Sequence, residues 1–227
     1  MNVIERVLEE VDSNIIFQSE NEGADGIREF FNKMVSMNWY AYRNQKMIIS
    51  VDWPSEFKKI NTCNVSFLEE SWLFYQIISH LDDYLTEVCS DLDAVSIIRK
   101  KLNEYARTES KHRCNRFDDF VNEVEKTVAY DYCLATGEKP SKEPKIPVID
   151  IRSGLRKIAE IVGIRQIIVA IMVTDGINNY EREMIADYLG YRYECVRFWV
   201  GNLEQGPLIS IGGQHVQGPY DYDRITL

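Results

Sequence analysis

Apolar positions fall on helical spacing over most of this chain. Val3, Ile4, Val7, Leu8 and Val11 recur every three or four positions, with Glu5, Glu9 and Glu10 between them. That pattern predicts a helix over 1–13 with its acidic side in water. A break at Glu22-Gly23-Ala24-Asp25-Gly26 precedes Ile27, Phe30, Phe31, Met34 and Val35, the inner face of a second helix. The aromatic and basic stretch 38–46, of a kind that can stack on bases of single-stranded nucleic acid, leads into Met47–Val51, which reads as a strand, and Pro54 ends it. Further helical patterns cover Phe67–Cys89, Leu92–Arg107, Phe117–Leu134 and Arg152–Ile161.

The stretch 165–217 says most about function. Ile167, Ile168, Ile171 and Met172 follow helical spacing up to Asp175-Gly176. Glu181–Leu189 makes a second short helix, with Met184, Ile185, Tyr188 and Leu189 on one face and Gly190 closing it. A third pattern, Cys195, Val196, Trp199, Val200 and Leu203, stops at Gly206-Pro207. Ala186, Gly190 and Val196 meet the needs of a helix-turn-helix: a small residue at the crossing, glycine in the turn, an apolar plug after it. Leu208–Ile211 and Gln214–Gln217 flank Gly212-Gly213 and read as a hairpin. A rival parse makes Ile167–Thr174 a buried strand, Tyr180–Leu189 a helix and Cys195–Val200 a second strand. That would be a βαβ unit, with no Gly-rich phosphate loop after its first strand.

The run IADYLGYRYECVRFWVGNLEQGPLISIGG resembles the winged helix-turn-helix of bacterial regulators of the cyclic-AMP receptor protein/FNR type. Ile185, Ala186, Leu189 and Gly190 reproduce that family's I-A-x-x-L-G core. Glu194 and Val196 match its recognition helix, while Cys195 and Phe198 replace the usual Thr and Arg. The resemblance implies a sequence-specific DNA-binding protein, a transcription regulator, with helix 192–203 in the major groove of double-stranded DNA. Arg192, Tyr193, Glu194 and Arg197 would face bases or phosphates, Arg182 a phosphate, and Gln214 would lie in the wing. The part before 135 shows no cyclic-nucleotide β-roll, so the resemblance stops at the C-terminal domain and implies no ligand. The expected fold is mainly α. It comprises a helical domain over 1–134 for partner binding or dimerisation, a linker over 135–150 and a winged helix-turn-helix domain over 151–227. Pro140, Pro144 and Pro147 stand among alternating charges in that linker.

Composition modifies this in three ways. With 227 residues, 45% apolar and 27% charged, the chain can bury an ordinary core, and it has no apolar run long enough to span a bilayer. An intracellular, cytoplasmic protein is expected. The five cysteines show no paired short spacing, which reads as free thiols and no metal site. The net charge of −10 opposes a surface coated by nucleic acid, and residues 1–134 carry −9 of it.

Against that acidity, Arg99, Lys100, Lys101, Arg107, Lys111, Arg113 and Arg116 form one basic block, a candidate patch for phosphates or an acidic partner. Asp82-Asp83 beside His80 point about 100° apart on a helix and read as solvated surface. No nucleophile, zinc or P-loop motif appears, so neither enzymatic activity nor a cofactor is expected. The alternative function is a protein-interaction module that docks on polymerase, replication or assembly machinery through Tyr191, Tyr193 and Trp199.

Overall fold

The computed structural model describes residues 3–19, 23–60, 65–140, 142–144, 146, 150–173, 176–190, 193–218 and 220–227. In chain order it contains α1 (Val3–Glu10), β1 (Ile15–Gln18), α2 (Gly23–Val35), α3 (Asn38–Arg43) and β2 (Lys46–Asp52), then a 3₁₀ turn at Ser55–Lys59. Next come α4 (Val65–Ser79), α5 (Leu81–Val88), α6 (Leu92–Glu109), α7 (Phe117–Thr136) and α8 (Ile151–Val162). The chain closes with β3 (Gln166–Met172), α9 (Asn179–Gly190), β4 (Val196–Gly201), β5 (Leu208–Ile209), β6 (His215–Val216) and β7 (Asp223–Thr226). It divides into two compact units. A sheet unit combines Met1–Lys58 with Arg165–Leu227, and a helical unit spans Lys59–Ile164.

The fold is α/β, not mainly α. Five parallel strands form one sheet in the order β2-β3-β4-β1-β7. The segments expected as the first and third helices of a winged domain are its strands β3 and β4, so the rival βαβ parse describes the chain there. The physical reason is burial on both faces. All seven residues of β3 are buried, and a strand covered on both sides needs a continuous apolar run instead of alternation. Over so short a span such a run satisfies helical spacing as well. The β-branched residues Ile167, Ile168, Val169 and Ile171 then favour the strand.

One sheet face carries Ile15, Phe17, Ile48, Ile168, Ala170, Met172 and Trp199 against α1, α2 and α3. The other meets α9, where Tyr188 stacks on Phe198 with ring centroids 4.7 Å apart. α9 opens with a reciprocal cap. The Asn178 amide N–H donates to Glu181 Oε2 at 2.7 Å, and the Glu181 N–H donates to Asn178 Oδ1 at 2.9 Å. Buried Glu181 also accepts from Trp53 Nε1 at 3.0 Å. β2 lies at one sheet edge, and buried Asn38 there engages both backbone groups of Ile48, at 2.9 and 3.0 Å. Side-chain pairing of this kind closes an edge that would otherwise offer free donors and acceptors. Lys46 is buried too, donating to Leu8 O at 2.7 Å and Val11 O at 3.2 Å, where α1 leaves its last carbonyls unpaired. Of the aromatic and basic stretch 38–46, Asn38 and Lys46 are therefore scaffold, while Trp39 is exposed beneath Arg43.

The helical unit follows its apolar spacing closely. The pattern Phe67–Cys89 is interrupted at His80 into α4 and α5. Around Phe120 on α7, Phe74, Tyr105 and Phe117 form an aromatic cluster. Among the described residues no helix is long and apolar enough to cross a membrane.

Candidate functional site

A doubly wound sheet offers a ligand crevice where adjacent strands send the chain to opposite faces, just beyond their carboxyl ends. Here that place lies between β1 and β4. After β1 the chain enters α2 on the α1–α3 face. After β4 it enters the β5–β6 hairpin on the α9 side, where a Cβ on Gly190 would sit 2.8 Å from Val216 Cγ2. A cleft of about 490 Å³ occupies this position, lined by Gln18 and Ser19 at the end of β1, Asn202–Gln205 after β4, Thr226 of β7, and Gly23 and Ile27 of α2.

Backbone geometry builds the cleft. Asn202 adopts φ 62°, a left-handed conformation that asparagine tolerates better than most residues. Held there, it donates its N–H to Phe17 O at 3.2 Å and its Nδ2 to Val173 O at 3.1 Å, tying together the carboxyl ends of three strands. Gly23 has φ 59° where the β1 connection turns into α2. Gly201 is required for a different reason. A Cβ there would lie 2.6 Å from Ile27 Cγ2 and 2.8 Å from Met172 Sδ, so its absence lets the start of α2 approach the strand ends.

Arg182 braces the far wall: Nε donates to Pro207 O at 3.1 Å and Nη2 to Glu204 O at 3.0 Å. Among the described lining residues the one ionisable group is Glu204; the rest are amides, hydroxyls, glycine and aliphatic carbon. A strand–loop–helix with GxxxxGK[ST] is the phosphate-binding arrangement. The sequence 19–26, which runs from the end of β1 through the first turn of α2, instead reads SENEGADG, with three carboxylates, no Lys and no Arg. Asp25 in the first turn of α2 places a carboxylate at the positive end of that helix.

The expected DNA-contacting residues are not brought together on a recognition helix. Arg182 is the wall brace just described. Arg192 lies outside the described residues. Tyr193 is buried, edge-on to Phe198. Glu194 is exposed in the turn before β4. Arg197 sits on β4 itself and donates to three backbone carbonyls, those of Asp12, Tyr193 and Val196. Gln214 is exposed in the β5–β6 turn. The hairpin expected there forms, with Gly213 at φ 76°, but it rests on α9 and is not a wing. Of the aromatics proposed for docking, Trp199 and Tyr193 are buried and Tyr191 lies outside the described residues.

The basic block is exposed along α6 and the turn that follows it. Arg99 pairs with Asp82 and Arg116 with Asp118, at 2.6 Å each. Lys100, Lys101, Arg107, Lys111 and Arg113 are exposed. Among the described residues, Cys89, Cys114 and Cys133 are free thiols, and no group of three or more His, Cys, Asp or Glu is arranged to hold a metal ion.

The cleft residues at the ends of β1, β4 and β7 are missed by sequence reasoning because β1 is only four residues long and β4 reads as a helix. The available signal was the polar step that ends each apolar run: Gln18-Ser19 after Ile15–Phe17, and Asn202 after Val200-Gly201. Comparison with protein-family models, with curated proteins and with solved structures finds no match to this chain.

Proposed function

We propose that this chain is a non-catalytic binding protein whose sheet unit takes an uncharged, hydroxyl-rich small molecule, of the sugar or nucleoside class, in the cleft between β1 and β4. The observation that carries this reading is the polar cleft at the sheet's switch point, with amide and hydroxyl side chains on three strand ends. Gln18, Asn202 and Gln205 both donate and accept, which suits hydroxyl groups that do the same. Glu204 in the lining and Asp25 in the first turn of α2 disfavour phosphate. Among the described lining residues there is no histidine or cysteine. Calorimetric titration with adenosine, ribose and ATP–Mg²⁺ tests the reading. Binding of the neutral compounds at least about ten-fold tighter than ATP is expected, and loss of that binding in Gln205→Ala. Tighter binding of the nucleotide, or its hydrolysis, would sink the proposal.

A second reading concerns nucleic acid, with the contact moved from 192–203 to the helical unit. Lys100, Lys101, Arg107, Lys111 and Arg113, exposed on one helix and its following turn, favour it. Fluorescence anisotropy on duplex DNA over a salt series checks this. The triple change Lys100→Ala/Lys101→Ala/Arg107→Ala should lower the salt slope by about one per lost phosphate contact. An unchanged slope rejects it.

A further inference from the structure

The helical unit contains a second cavity, of about 230 Å³, between α4, α7 and the segment leading into α8. Its wall is apolar, with Phe67 and Phe74 from α4, Leu134 from α7 and Ile146 beyond it. Phe67 and Leu134 are 57% and 46% exposed, so the apolar lip is open. Two carboxylates interrupt this lining, Glu70 on α4 and Asp131 on α7. Both helices present their contributions by ordinary spacing: Phe67, Glu70, Ser71 and Phe74 on one, and Val124, Asp131 and Leu134 on the other.

A carboxylate at the edge of an apolar cavity loses hydration, which a cationic ligand beside it offsets. Burial pushes both carboxyl groups up from their ordinary range. For Glu70 the charge of Arg152 opposes that rise and Asp150 adds to it; for Asp131 a hydrogen bond from Ser71 opposes it. Aromatic rings beside carboxylates are the surroundings that attract an ammonium ion, through ring faces and charge together. The volume is below the range that holds drug-sized ligands, so the occupant is small.

We propose that this cavity binds a small hydrophobic ammonium ion, with its apolar body against Phe67, Phe74, Leu134 and Ile146 and its ammonium at Asp131 and Glu70. Anionic ligands of the same shape are excluded by the same two carboxylates, and neutral ones gain only the apolar contact. The site is separate from the sheet cleft and does not depend on the ligand assigned there.

The test is calorimetric titration of the full chain with 2-phenylethylammonium, its neutral analogue 2-phenylethanol and its anionic analogue 3-phenylpropanoate. The ammonium compound should bind about ten-fold tighter than the alcohol, the scale of one charge-assisted contact, and the carboxylate should not bind. Asp131→Asn should remove the preference for ammonium while leaving the alcohol's affinity unchanged, with a melting curve confirming that the variant folds. Should Asp131→Asn melt early, Glu70→Gln supplies the same comparison. Equal affinity for ammonium and alcohol overturns the proposal, as does a preference for ammonium over alcohol that survives in the Asp131→Asn/Glu70→Gln double variant, because the cation is then held elsewhere. No binding by a folded protein also overturns it. So does sedimentation showing that Phe67 and Leu134 are covered by a second copy of the chain.

Discussion

In the sheet unit the strand interiors carry packing, and the polar groups that can meet a ligand stand one to four residues past the strand ends: Ser19, Asn202, Glu204 and Gln205. In the helical unit the polar groups sit in mid-element, as Glu70 and Asp131 do, on the same faces as Phe67 and Leu134. Parallel strands covered on both sides have no face left for polar side chains, so chemistry moves to their carboxyl ends, where backbone geometry aims it. A helix can place a carboxylate among apolar neighbours anywhere along its length, at a desolvation cost seen in the raised pKa of both acids. The contrast bears on what a mutation should do. Damage to the sheet core should reach its cleft, whereas damage to the helical core should not.

The largest effects break or uphold that contrast directly. Trp199 and Phe120 are both fully buried, one in each unit. Trp199→Ala and Phe120→Ala should each lose about 3–5 kcal/mol in denaturant titration. Adenosine affinity, measured under conditions where each variant remains folded, should fall only for Trp199→Ala. A fall for both would mean that the cleft is not defined by its own unit. Gly201→Ala comes next, at about 1–3 kcal/mol, because the added methyl overlaps Ile27 and Met172. Its binding loss should exceed what its stability loss explains, since Ile27 lines the cleft.

Arg197→Met is expected to cost about 1–2 kcal/mol from three lost donations to backbone carbonyls, measured by the urea midpoint. A surface residue free to read DNA would change stability by no more than about 0.5 kcal/mol. The smallest effect is a pH dependence at the hairpin. Burial pushes Asp187 up to about 6, against an opposing hydrogen bond from the Ile211 N–H. A folded-state pKa above the unfolded one means that the protonated form favours folding. That contribution is complete below about pH 4 and is lost as pH rises through about 6. Carbon-detected NMR titration of Asp187 should give the midpoint, and Asp187→Asn should flatten the stability profile over that window. An ordinary carboxylate midpoint would contradict it.

What was legible in the sequence follows the same division. Helices that are solvated on one side announce themselves by alternating faces, so Leu92–Arg107 and Phe117–Leu134 match α6 and α7 closely. The strands carry no such mark. Ile167–Met172 satisfies both periods, and only the pairing of β3 with β2 and β4 decides between them. That information is nonlocal, since the paired residues Asp52 and Met172 stand 120 positions apart in the chain. The residues of the supposed turn, Ala186, Gly190 and Val196, are constrained as a helix-turn-helix would constrain them, but by other contacts. Ala186 and Val196 are buried in the sheet unit, and Gly190 makes room for Val216. The cleft was illegible for the same reason, because its lining joins positions 18–27, 202–205 and 226 through strand order alone.

The central claim is that the cleft between β1 and β4 binds an uncharged, hydroxyl-rich ligand. Backbone amide NMR during titration with adenosine, repeated with ATP–Mg²⁺, tests it most directly. The expected result is that adenosine shifts the amides of Gln18, Ser19, Asn202–Gln205 and Thr226, while ATP–Mg²⁺ at the same concentration leaves them in place. Shifts produced by ATP–Mg²⁺ alone, or adenosine shifts that avoid these residues, would contradict it.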